Sequence, residues 1–272
     1  MPALTETNDD NVIFETGKSE TERLVLQHEI SKPPSTSPDP DSRFSIKLLQ
    51  MASGSKTSPP PSPAQHEYIG TDIVESYYPS PAPPHFTFSQ SMTSDWPSNL
   101  TSTFDLVHSR FALPGAGTHS PRSVVSRLVA LVKPGGYIQQ SEMVFTPWPS
   151  NRPGMKEFQQ ACIDVFTMVI GGQELEYLYS IEKWYHEMGL EDVQYEIYTI
   201  PIGAKAKSER IRDISIESFG LTCQGLVDTT KVLPPISIAP ERLDTLPQRP
   251  RKELTEIGGT WQPFAIWGCK GV

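Results

Sequence analysis

The first quarter of the chain has little glycine. Before Tyr68 only Gly17 and Gly54 occur, and neither stands in a G-x-G arrangement. Glycine is what lets backbone approach a ligand closely at a strand-to-helix turn, so no such turn is legible there. Cysteine is equally sparse. Cys162, Cys223 and Cys269 are far apart and match no metal-ligand spacing, which leaves no zinc motif and no disulfide framework. Basic residues are outnumbered 23 to 32, a formal net charge of −9. That balance, with no Lys/Arg block, argues against a nucleic-acid groove. No apolar run approaches the length of a membrane span. With no signal peptide to read, the expectation is an intracellular, cytoplasmic protein with reduced thiols.

Proline, by contrast, is abundant. Of 27 prolines, 12 fall between Pro33 and Pro84. With Ser-rich neighbours they deny residues 31–64 long regular structure. This is expected to be the least ordered part of that half. The 272 residues suffice for one large α/β domain with a buried core.

The strongest local pattern runs from Thr103 to Glu142. Phe104–His108 is a short apolar run that reads as a buried strand. Ser120 is a fitting N-cap, and Pro121 suits the first helical position. Val124, Val125, Leu128, Val129, Leu131 and Val132 then recur at helical spacing. Lys133-Pro134-Gly135-Gly136 stops the helix, and Tyr137–Glu142 resumes as a strand. Strand–helix–strand is the unit of a parallel sheet, with a right-handed crossover.

"FDLVHSR" followed by "ALVKPGGYIQ" resembles the later half of a class I S-adenosylmethionine-dependent methyltransferase domain. "YIGTDIVESYYPSPAP" upstream and "WGCKGV" at the end narrow the resemblance to the LaeA-like methyltransferases of fungal secondary metabolism. It covers roughly residues 20–272. It implies a Rossmann-like α/β fold: a seven-stranded, mostly parallel sheet, a C-terminal antiparallel strand pair (193–200 with 261–268), and a helical lid at 201–258. The cofactor it implies is S-adenosylmethionine. Residues 1–19 are polar and acidic, and read as a flexible tail on a single domain spanning 20–272.

Elsewhere Ser19–Ile30 reads as a short helix, which the resemblance places over the cofactor. Phe44–Ala52 fits either strand or helix. His66–Ile73 and Phe86–Phe88 read as strands. Helices are expected at Met155–Ile170, Ser180–Met188 and Ser208–Leu226, a strand at Val193–Tyr198, and a broken helix at Glu241–Glu256.

A methyl transferase needs little acid–base chemistry, since its main task is to hold a nucleophile in line. The cofactor site is therefore the part to seek. Asp72 ends its strand, where ligands of open α/β sheets bind. Under the resemblance its carboxylate takes the ribose hydroxyls; otherwise it is a turn aspartate. Gln90-Ser91-Met92 should flank the adenine, with Ser91 and Met92 as cofactor contacts; Met92 could equally be core. His108 ends the central strand on the edge that faces the methyl group. It is the candidate general base and a cofactor neighbour, or else structural. Arg110 could orient a substrate carboxylate or pair with Glu142. Asp105 sits at the far end and reads as structural. No metal site is expected.

The family's first strand ends in a glycine-rich turn against the methionine half of the cofactor. Here that strand and turn are degenerate between about Pro38 and Ile46. Ala52–Ser55 is small enough to serve as a substitute turn. Two functions stay open. One is a methyltransferase acting on a small molecule. The other is a catalytically impaired, methyltransferase-like partner or regulator of biosynthetic-pathway proteins.

Overall fold

The computed structural model describes Leu26 and residues 46–51, 66–72, 78, 80–82, 84–90, 96–116, 119–146, 148, 151–172 and 175–272. The segment 1–19, most of 20–45, and 52–65 lie outside that set, as do Ser91 and Met92. Of the expected Ser19–Ile30 helix, Leu26 alone is described, and it is helical.

A seven-stranded sheet organises the chain. Its strands are β1 (Ile46–Met51), β2 (His66–Asp72), β3 (Phe86–Gln90), β4 (Phe104–Arg110), β5 (Val132–Met143), β6 (Leu190–Ile197) and β9 (Pro263–Lys270). Their spatial order is β3-β2-β1-β4-β5-β9-β6. A separate two-stranded sheet joins β7 (Ile200–Ile202) to β8 (Gly259–Trp261).

The β4–β5 unit forms as its sequence dictates. Helix α1 (Pro121–Leu131) starts at Ser120, whose side chain accepts from the Ser123 amide. Its buried stripe is Val124, Val125, Leu128, Val129 and Leu131, the 3.6-residue period read from sequence. Gly135 has φ of +77°, a conformation glycine adopts without strain. At Gly136 an added Cβ would lie 2.9 Å from the Phe104 carbonyl, so the turn closes only with glycine. Lys133 pairs with Asp105, confirming a structural part for that carboxylate. β4 and β5 then pair in parallel, with His108 opposite Gln139 and Arg110 opposite Ser141.

Five strands, β2 to β6, share one direction; β1 and β9 run against them. The reversal of β9 is the expected C-terminal antiparallel pair. That of β1 is a departure. β1 fills the central slot between β2 and β4, yet it is antiparallel to both. It forms a hairpin with β2, Met51 opposite His66, rather than a crossover. The physical reason lies in the connection. Only 14 residues separate Met51 from His66, and a hairpin needs no helix to carry the chain back.

The C-terminal strand also differs from expectation. It breaks at Gln262, with β8 before it and β9 after. Pro263 has no N–H to donate to a ladder.

Helices α1 and α3 (Tyr177–Glu187) cover one face of the sheet; Leu178, Ile181 and Tyr185 of α3 are buried there. Gly189, at φ +74°, follows the end of α3. The segment expected as a lid folds as β7, α4 (Glu209–Thr230), α5 (Pro240–Leu243) and α6 (Gln248–Glu256). It packs on α2 (Pro153–Val169). Glu253 fastens it: its two carboxylate oxygens accept from the Gly154 and Met155 amides, at 2.8 and 3.0 Å. These are donors that the first turn of α2 leaves unpaired. Glu157 of α2 in turn accepts from Arg242 and Arg249. Among the described residues no helix is long and apolar enough to cross a membrane.

Candidate functional site

Strand register places the candidate residues. Ile46 of β1 lies opposite Thr71 on one side and Ser109 on the other. Lys47 lies between Gly70 and His108 in the same way. Residues paired across a sheet share a face, and neighbours along a strand alternate. Asp72, His108 and Arg110 therefore lie on one face. It is the face opposite α3, since Gln140, the partner of Ser109, is buried against Tyr185 of α3. Asp72 and Arg110 are level with each other. One strand lies between theirs, so their backbones are about 10 Å apart.

Asp72 ends β2 and is 6% exposed. The hydroxyl of Tyr78 donates to the Asp72 carbonyl at 2.9 Å and lies 3.4 Å from its amide. That contact ties Tyr78 to the end of β2. The Tyr78 ring stacks on Phe88, with centroids 5.0 Å apart, and Phe88 neighbours Phe86 at 6.0 Å. Tyr68 stacks on Phe86 at 4.5 Å. A run of four aromatic rings thus leads along β2 and β3 towards the carboxylate. Asp72 pairs in register with Gln90, so Ser91 and Met92 begin just past this point, outside the described residues.

His108 is half-buried, one pair short of the strand end. Its Nδ1 lies 3.0 Å from the Gln139 amide oxygen. That oxygen can only accept, which places a hydrogen on Nδ1. Arg110 lies with its guanidinium 5.9 Å above the Phe111 ring. Phe111 has a positive φ of 50°, a conformation that costs a non-glycine residue roughly 1–3 kcal/mol. The Phe111 amide donates to Ser141, and its ring packs on Trp261 at 5.5 Å. Trp261 meets Phe219 of α4 at 6.3 Å, and Phe219 meets Phe158 of α2 at 5.2 Å. The exit of β4 is thereby tied to α4 and α2 through aromatic packing.

Glu142 does not pair with Arg110. Alternation along β5 sends it to the other face, where it is 1% exposed. One of its oxygens accepts from both the Ala112 and Leu113 amides at 3.0 Å. Burial raises its pKa to about 8, against the pull of those two amides. The same burial, with the nearby Glu142 charge, pushes the Tyr177 phenol up. Among the described residues the Tyr177 hydroxyl has no hydrogen-bond partner. Sequence reading assigned Glu142 only as a partner for Arg110. The alternation Ile138, Gln140, Glu142 was the signal for its burial. Tyr78 gave no signal, since it lies in irregular chain.

The residues fit half of an S-adenosylmethionine molecule. A buried carboxylate at the end of a parallel strand suits the two ribose hydroxyls. Among the described residues the amino-acid half has no such seat. At the slot between β2 and β4 the edge carries the start of β1, Ile46, not a strand end turning into a helix. The segment Ala52–Ser55 follows Met51, which is at the opposite edge, level with His66. Ala52–Ser55, the expected substitute turn, itself lies outside the described residues. Among the described residues no three His, Cys, Asp or Glu side chains are grouped to hold a metal.

The strand order and the shared direction of β2–β6 define a Rossmann-like α/β protein. No family model matches the chain. Methyltransferase psoC of Aspergillus fumigatus is 33% identical over 208 residues, spanning 75% of this chain and 74% of that protein. N-methyltransferase tcpN of Claviceps purpurea is 27% identical over 271 residues, spanning 92% and 94%. The chain belongs to this family of fungal methyltransferases. Among solved structures, Haemonchus contortus phosphoethanolamine N-methyltransferase 2, with S-adenosylhomocysteine, aligns at a TM-score of 0.42 and 14% identity, covering 75% of this chain and 44% of that one. That likeness is too distant to bear on individual residues.

Proposed function

We propose that the chain is an S-adenosylmethionine-dependent methyltransferase that acts on a small molecule of secondary metabolism, in line with its LaeA-like sequence phrases. The observation that carries this reading is the shared face of Asp72, His108 and Arg110 at one sheet edge. The N-methyltransferase names of relatives such as tcpN favour nitrogen as the acceptor. Asp72 holds the ribose. Ser91 and Met92 flank the base. His108, oriented through Nδ1 by Gln139, takes a proton from the acceptor. Arg110 orients a substrate anion. The cofactor, when bound, supplies an electrophilic methyl group. Residues 20–272 act as one domain, with 201–258 as its lid. Incubation with methyl-labelled S-adenosylmethionine and a panel of small amines, amides and phenols tests the reading. Label on a nitrogen supports it.

The reversed β1 favours a second reading: a catalytically impaired family member that serves other proteins of a pathway. Cofactor binding without transfer to any acceptor of the panel supports it.

A further inference from the structure

β6 closes one side of the sheet. Among the described residues its one partner strand is β9, and no strand lies along its outer side. Such an edge invites another strand, and proteins blunt it with lysine, proline, charge or a bulge. β6 has no lysine and no proline. Its bulge, with Asp192 at φ 49°, is confined to Glu191–Gln194; from Gln194 to Ile197 the pairing with β9 is regular. That regular stretch is exposed on both faces of the sheet. Tyr195 lies opposite Ile266, itself opposite Gln140, so Tyr195 and Ile197 point to the α3 face. They are 41% and 42% exposed. Val193 joins their row, since its Cγ2 lies 3.3 Å from where a Cβ on Gly268 would stand, on the face of Ile266. Tyr179 of α3, 60% exposed, meets Tyr195 edge-on at 6.5 Å.

We propose that a second copy of this chain pairs with β6, antiparallel, about a twofold axis that passes through Tyr195. A twofold contact must be self-complementary. With the axis normal to the sheet, the two sheets continue as one and every residue keeps its face, so the axis must pass through a residue. The sequence of β6 decides which. Centred on Gln194, the register sets Glu196 against Asp192. Centred on Glu196, it sets that carboxylate against its own copy. Like charges directly opposite are destabilising. Centred on Val193, it sets Tyr195 against Glu191 and Glu196 against Leu190. Centred on Ile197, half of it runs off the strand. Centred on Tyr195, that ring meets its own copy, Val193 meets Ile197 twice, and Gln194 meets Glu196 twice. The apolar row then matches itself and no two carboxylates are opposed. Tyr179 of each copy covers the row from the α3 side. Backbone ladder bonds give such a contact its strength, and the matched side chains give it its register. The proposal is independent of the cofactor reading.

Sedimentation velocity of the full chain over a dilution series tests this, and should show a dimer that dissociates on dilution. Ile197→Lys sets a charge against Val193 twice and should shift the mass to that of a monomer. Val232→Lys, at an exposed apolar position elsewhere, should leave the dimer intact. Circular dichroism establishes that each variant is folded. Under mild oxidation Tyr195→Cys should form a covalent dimer, because directly opposed residues have Cα atoms about 4.5–5.5 Å apart, a span a disulfide bridges. Ile197→Cys should not, since its own copy lies four residues along the strand, roughly 14 Å away. A parent that stays monomeric overturns the proposal and leaves the edge to another protein or to residues 1–45 of the same chain. A dimer that persists in folded Ile197→Lys, or that cross-links through Ile197→Cys rather than Tyr195→Cys, also overturns it.

Discussion

Asp72 and Arg110 stand level on the same face of the sheet, on strands of the same direction, with one strand of opposite direction between them. This arrangement brings a carboxylate and a guanidinium to one edge about 10 Å apart. Neither strand is disturbed by the reversal of its neighbour, because β1 pairs with both along its own length. The edge thus keeps its two flanks and has a different centre.

His108 lies on this face, one pair further from the edge than Arg110, with Nδ1 held by Gln139. If it takes the acceptor's proton, His108→Ala should lower kcat by about 10² to 10⁴. Cofactor affinity should change little. Gln139→Leu should give a smaller loss by freeing the ring. Steady-state kinetics with labelled methyl donor reads both. An unchanged kcat removes His108 from the chemistry.

Glu142 should make stability depend on pH. Its folded-state pKa is about 8, against an ordinary 4.5. Between those values the unfolded chain is ionised and the folded chain is protonated, so folding takes up a proton. Stability therefore falls as pH rises across that window, by up to about 1.4 kcal/mol per unit. Above about pH 8 this contribution levels off. Glu142→Gln does not titrate, and its carbonyl can still accept from Ala112 and Leu113. The variant should be more stable than the parent at pH 7, with a flatter profile from pH 5 to 8. Urea titrations at several pH values would show it. A parallel profile in parent and variant contradicts the burial of a titrating carboxyl.

Glu253 should hold the lid to α2. Glu253→Ala leaves the Gly154 and Met155 amides without their acceptor. The expected loss is about 1–2 kcal/mol, or a few degrees in Tm. Protease sensitivity between residues 231 and 247 should rise in parallel. A Tm equal to the parent's would mean that the lid is held elsewhere.

What the sequence disclosed follows from the range of each interaction. β4, α1 and β5 were legible because a cap, an apolar period and a Pro-Gly-Gly stop act within a few residues of one another. The α2, α3 and α4 helices were legible for the same reason. The direction of β1 was not. Its apolar run suits either direction, and pairing to β4 is decided some 60 residues away. The break at Gln262 was overlooked, although Pro263 marked it. The places of Asp72 and His108 near strand ends were legible. The Tyr78 contact was not, since a tyrosine in Pro-rich chain carries no periodic signal. Glu253 capping a helix 98 residues earlier is invisible to any local reading.

The central claim is the proposal that Asp72 forms a ribose seat, with no matching seat for the amino-acid tail among the described residues. Calorimetric titration of the full chain with S-adenosylmethionine, for the parent and Asp72→Ala, tests it most directly. Each lost hydrogen bond to a charged group is worth roughly 1.5–3 kcal/mol. One or two such losses should weaken binding by about tenfold to ten-thousandfold from a micromolar site. Weak binding in the parent, abolished in Asp72→Ala, is the expected result. Tight binding that ignores Asp72 would contradict both the ribose seat and the consequence drawn from the reversed β1.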